Sequence, residues 1–190
     1  MFRDLSTLMA TPLRIKALAY ILKRPGEEGT AAEFAAVSGT SKENALKELN
    51  ALVRLGILRA RGTGANRKFI ADEADILFEP IRGLLVQATM PDDKEIIQAF
   101  RGVRGIWLLV AAGALTNDAH SPVDLLIVTR NPDEPKLGKA VKKIESLAAI
   151  PIRYAILEVE EYLGRRQAYD RMLRDMFEYP HRIILERGGS

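Results

Sequence analysis

Cysteine is absent from the chain, and histidine is nearly so, with only His120 and His181. Without thiols there can be no disulfide, no zinc ribbon and no thiolate nucleophile. Two histidines are too few for a dedicated transition-metal site built on imidazoles. Long apolar runs are also missing. The longest, residues 105–115, falls well short of the roughly 20 residues that cross a bilayer and reads as a buried strand and its turn. The N-terminus lacks the basic segment, apolar stretch and small-residue cleavage site of a secretory leader. A cytoplasmic protein with no membrane partner is expected. Repeats and low-complexity segments are absent too.

What remains is an ordinary globular balance, 47% hydrophobic and 28% charged over 190 residues, enough for one large domain or two small ones with a sizeable core. The net charge of +3 hides an asymmetry. Residues 1–71 hold 12 basic and 6 acidic side chains, and residues 72–190 hold 16 and 19. Between Leu49 and Ala71 stand Arg54, Arg59, Arg61, Arg67 and Lys68 with no acid among them. Such a split suggests a polyanionic partner for the basic part.

Within that part the local signals fall in a definite order. Thr11 is placed to cap a helix that Pro12 opens, and Arg24-Pro25-Gly26 ends it. Thr30 and Glu33 form a capping-box pair for a short helix over residues 31–37, closed by the turn Ser38-Gly39-Thr40. Ser41 caps a third helix whose apolar stripe is Ala45, Leu46, Leu49, Leu52 and Val53. Lys42, Asn44, Lys47, Asn50 and Arg54 lie mostly off that stripe. Strand candidates at residues 57–60 and 68–71 flank a glycine-rich loop over residues 61–67.

Three helices and a basic hairpin in this order resemble the winged helix-turn-helix of ArsR- and MarR-type regulators, over about residues 11–71. The residues that carry the likeness are Phe34 to Ser41, then Ala45-Leu46-Lys47-Glu48-Leu49, then Leu55-Gly56-Ile57-Leu58. The resemblance implies double-stranded DNA as partner, with the third helix in the major groove. Side chains near that helix's N-terminus would reach base edges. The groove-facing set is then Ser41, Lys42, Asn44 and Lys47, with Asn50 and Arg54 further along the helix. Arg61, Arg67 and Lys68 of the wing would meet backbone phosphate or the minor groove. A homodimer on two half-sites is implied as well.

Residues 75–88 have helical spacing, with Pro80 near the first turns, and are expected to connect two domains or to form a dimer contact. Residues 89–93 are the best boundary. Beyond it a short helix (92–100), strands at 105–111, 123–128, 152–157 and 182–185, an amphipathic helix (135–147) and a helical stretch over 158–177 broken near Gly164 predict a small α/β sheet domain. The expected organisation is therefore α+β. Residues 1–72 form the winged helix, 73–91 a connecting helix and linker, and 92–190 an α/β domain with a mixed sheet.

Gly113-Ala114 followed by Ser121-Pro122-Val123-Asp124-Leu125-Leu126-Ile127-Val128 resembles the signature of minimal nucleotidyltransferases, and the similarity extends over about residues 95–187. That family holds magnesium on clustered carboxylates to bring a triphosphate to reaction. Its first aspartate falls here on Pro122, its later carboxylate near Arg153 and its triphosphate-contacting serine on Ala114. Gly113, Ala114, Ser121 and Asp124 would thus be the remnant of a site, with no metal, no cofactor and no catalysis expected. Asp118 and Glu158 are the remaining candidates to join Asp124 around a magnesium ion. His120 has no acid at triad spacing, and Glu158, Glu160 and Glu161 suit a helix start.

The sequence therefore leads to a bacterial-type transcriptional regulator. Its winged helix would bind an operator, and its second domain would take a small-molecule or protein effector. Two alternatives stand beside it. One is an active, antitoxin-like nucleotidyltransferase that modifies a partner; the other is a winged-helix protein-interaction module without DNA.

Overall fold

The computed structural model describes residues 5–64, 67–118 and 120–187. Those residues form nine helices and two sheets, an α+β architecture. Among them no helix is long and apolar enough to cross a membrane. The chain divides into two compact units, Met1–Met90 with Glu145–Ile150, and Pro91–Ile144 with Pro151–Ser190.

In the first unit the order is α1 (Leu5–Leu8), α2 (Pro12–Leu22), β1 (Gly29–Thr30), α3 (Ala31–Ser38), α4 (Lys42–Arg54), β2 (Leu58–Arg61), β3 (Lys68–Ala71) and α5 (Phe78–Thr89). Polar side chains set the helix starts. Thr11 Oγ1 accepts from the Arg14 amide, Ser41 Oγ accepts from the Asn44 amide, and Thr30 and Glu33 exchange both bonds of a capping box. Each supplies an acceptor to an amide that the helix cannot satisfy itself. Leu18, Leu22, Phe34, Leu49, Leu52 and Phe69 are 0% exposed and make the core.

Two features of this unit escape periodicity. The two-residue β1 joins the hairpin as its third strand, in the order β1-β3-β2. It fits because Gly29 lies on the Tyr20 ring, where a Cβ would come within 2.6 Å of Cε1. The helix expected from residue 75 begins at Phe78 instead. Asp75 turns its carboxylate onto the Leu77 amide, 2.9 Å away, and so forms a turn before the helix. Pro80 then lies in the first turn, where no intrahelical donor is needed. Phe78, Ile81 and Leu85 of α5 belong to the core of the first unit.

The second unit contains α6 (Asp93–Ala99), β4 (Ile106–Ala111), a 3₁₀ turn (Gly113–Thr116), β5 (Leu125–Thr129), most of α7 (Glu134–Ala148), β6 (Tyr154–Glu158), α8 (Val159–Gln167), α9 (Arg171–Glu178) and β7 (Arg182–Glu186). The sheet runs β6-β5-β4-β7 and is mixed, with β5 and β6 parallel and the other pairs antiparallel. All of β5 is buried, which explains its unbroken apolar sequence. Leu108, Val110, Leu126 and Val128 pack with Tyr162, Leu173 and Met176 of α8 and α9. The helical stretch breaks at residues 168–170 rather than at Gly164. Tyr169 takes a left-handed φ of 53° and Asp170 caps α9 by accepting from the Leu173 amide. A cap with an acceptor ends a helix more firmly than a lone glycine within one.

Candidate functional site

The exposed face of α4 follows from what holds its other face. Ala45, Leu49 and Leu52 are fully buried, and Glu48 beside them is 8% exposed. Glu48 Oε2 accepts from Arg14 Nε at 2.7 Å, and Arg14 Nη1 donates to the Thr7 carbonyl at 2.8 Å. A charged hydrogen bond of this kind fixes α4 on α2 in one register. Sequence reading placed Glu48 only within a run of residues and gave it no role. Its partner lies 34 positions away, so no local pattern shows the pair.

With that face anchored, Ser41, Lys42, Asn44 and Lys47 are all exposed on the N-terminal half of α4. Ser41 Oγ is engaged in capping. Arg54 is exposed in the last turn, whereas Asn50 is half-buried with its Oδ1 enclosed and without a hydrogen bond. Glu43 is exposed in the first turn, four residues before Lys47. It was not among the expected contacts.

The hairpin residues divide in their fates. Arg61 is exposed and stands opposite Lys68 in the β2–β3 register. Lys68 Nζ donates to Glu28 at 2.8 Å and holds that carboxyl below its usual range. Arg67 is half-buried, with its guanidinium 5.6 Å from the Phe69 ring centre. Ala65 and Asn66 of the expected loop lie outside the described residues. Of the three expected hairpin contacts, Arg61 and Lys68 are therefore exposed, and Lys68 carries a neutralising partner.

In the second unit Asp124 is 1% exposed at the start of β5. Its Oδ1 accepts from the Ala114 amide at 2.8 Å and from Arg153 Nη2 at 2.7 Å. Its Oδ2 accepts from the Arg153 amide at 2.8 Å and from Arg153 Nε at 3.1 Å. The backbone joins the same residues, since the Asp124 amide donates to the Arg153 carbonyl at 2.7 Å. Gly113, at φ +52°, passes so close that a Cβ would strike Asp124 Oδ1 and the Val123 carbonyl. Ser121 is 1% exposed and its hydroxyl donates to the Val123 carbonyl at 2.7 Å. Gly113, Ala114 and Asp124 thus do converge, but with an arginine, while Ser121 is held on the neighbouring Val123 carbonyl.

That donor set does not fit a divalent cation. Four N–H groups already address the two carboxylate oxygens, and the positive guanidinium lies on them. Asp118 accepts from the His120 amide and ring, an arrangement that lowers its pKa, and Glu158 is exposed at the end of β6. Among the described residues no three Asp, Glu, His or Cys side chains gather as a metal site.

No family model matches the chain, and comparisons with curated proteins and with solved structures give no match.

Proposed function

We propose that the chain is a DNA-binding transcriptional regulator. Its first unit is a winged helix that reads the major groove with α4, and its second is a degenerate nucleotidyltransferase-like domain that senses an effector. The observation that carries the reading is the exposure of Lys42, Asn44 and Lys47 on one half of a helix whose other face is pinned by Leu49, Leu52 and the Arg14–Glu48 pair. At 13 residues α4 is about 20 Å long, and a helix of this diameter enters a groove about 12 Å wide. Lysine can donate to guanine O6 and N7, and asparagine can bridge adenine N6 and N7. Arg61 adds a phosphate contact from the hairpin. Two copies on a two-fold operator would multiply both affinity and selectivity.

The second unit transfers no nucleotide in this reading, and the Asp124–Arg153 pair supports that view. The carboxylate that would hold metal-triphosphate is neutralised by the chain's own guanidinium, so the negative field that such chemistry requires is absent.

Selection of duplexes from a random pool, followed by fluorescence titration of the full chain, tests the proposal. An enriched motif is expected, with log K falling linearly in log salt by about 0.9 per phosphate contact. No enrichment, or affinity that stays constant between about 50 and about 200 mM salt, would overturn it.

A further inference from the structure

The second unit carries a cavity of about 880 Å³ away from Asp124. Its floor is the β4–β7 edge of the sheet. Leu108 stands opposite Glu186 and Val110 opposite Ile183, with a bulge between the two pairs. Leu108 and Val110 face α8 and α9, so their cross-strand partners face the same way. Tyr162 of α8 and Phe177 of α9 form walls. The two helices leave β7 uncovered, and Ile183 in the floor is 51% exposed.

The charges around this cavity are unequally satisfied. Arg165 pairs with Glu161 at 2.6 Å and Arg174 with Asp175 at 2.8 Å. Arg166 and Glu186, which both line the cavity, have no side-chain partner among the described residues and do not pair with each other. Among the described residues, one unpaired cation and one unpaired anion thus share a cavity with the apolar Leu108 and Ile183. Its volume lies in the range of about 300–1,000 Å³ usual for small-molecule sites.

We infer that this cavity binds a small zwitterion with an apolar body, of the size of an apolar dipeptide. The ligand carboxylate lies on the Arg166 guanidinium, its ammonium on Glu186, and its side chains on Leu108, Phe177 and Ile183. A guanidinium offers a planar fork that matches a carboxylate. A carboxylate in turn accepts from an ammonium group. The inference rests on the reading of the second unit as the sensing half, and it names what that half senses.

The protein holds its own reporter. Trp107 is the only tryptophan of the chain, and its ring centre is 5.7 Å from that of Tyr162. The full chain is titrated with phenylalanyl-leucine, with the N-acetylated dipeptide and with the dipeptide amide, and Trp107 fluorescence is followed. The free dipeptide should give a saturable change, and each capped form should bind about tenfold more weakly, because each lacks one charged hydrogen bond. Arg166→Gln should bind the dipeptide and its amide alike, and Glu186→Gln should no longer distinguish the dipeptide from its N-acetyl form. Circular dichroism checks that both variants are folded. No saturable change in the folded wild type, or capped forms that bind as tightly as the free dipeptide, would overturn the inference. The readout involves no DNA, so a negative dipeptide titration leaves operator binding standing, and a negative DNA titration leaves the ligand site standing.

Discussion

Each half of the chain buries a carboxylate against an arginine, and the two pairs have opposite consequences. Glu48 and Arg14 join beneath α4, with side chains 10% and 14% exposed, and leave the cations on the outer face of the helix free. Asp124 and Arg153 join at the residue before β5, with side chains 2% and 53% exposed. The first pair is scaffolding for a surface. The second occupies both oxygens of the carboxylate itself and makes it a strut. A buried carboxylate on an arginine thus has no functional meaning of its own; what counts is what the pair leaves free around it.

The sharpest test of the contrast is removal of each carboxylate. Asp124→Ala should cost the second unit about 3 kcal/mol, because the part-buried Ala114 and Arg153 amides and the guanidinium lose their acceptor together. Urea denaturation measures this, and DNA affinity of the folded variant should be unchanged. A variant as stable as the parent would show that the pair is not a strut. Glu48→Ala should cost somewhat less, about 2 kcal/mol, and should also weaken DNA binding. The sign is informative. Loss of an acid by charge alone would strengthen binding to a polyanion, so weaker binding reports displacement of α4.

Lys47→Ala and Lys68→Ala compare a free cation with a paired one. The first should lower affinity about tenfold if Lys47 reaches a base edge. The second should change affinity much less, since Glu28 already neutralises that ammonium group. Equal losses would place Lys68 on the nucleic acid and break the distinction.

A separate expected effect is one of pH. Lys23 donates to the Ala148 and Thr89 carbonyls, and burial lowers its pKa from 10.5 to about 8. Between those values the unfolded chain binds more protons than the folded one, so stability rises with pH across that window. Below about pH 8 the full burden of the buried charge is present. Lys23→Met should lack the rise, as urea midpoints at the two ends of the window would show.

Much of the local architecture was legible in the chain. The caps at Thr11, Thr30 and Ser41 act over three residues, so they appear in the sequence as they do in the structure. Strands β4 and β5 announce themselves by unbroken apolar runs because both of their faces are covered. The two-residue β1 was not legible, since its existence depends on a hairpin 40 residues later and on a glycine that clears Tyr20. Glycine is the conspicuous breaker, so the sequence points to Gly164, whereas the chain turns at Tyr169 with its left-handed φ and Asp170 caps the start of α9.

The same division holds for function. By itself the sequence determined the absence of thiols, the excess of basic residues before Ala71, the helix with polar residues off its apolar stripe, and a proline and an arginine, neither with a carboxylate, at positions 122 and 153. These are properties of residue identity and short-range spacing. Only the tertiary structure decided that Glu48 secures α4, that Lys68 is neutralised, that Arg153 occupies the oxygens of Asp124, and that Arg166 and Glu186 face one cavity unpaired. Each of these depends on which charges meet across many residues of chain, and charge pairing over such distances follows from packing, which no local pattern encodes.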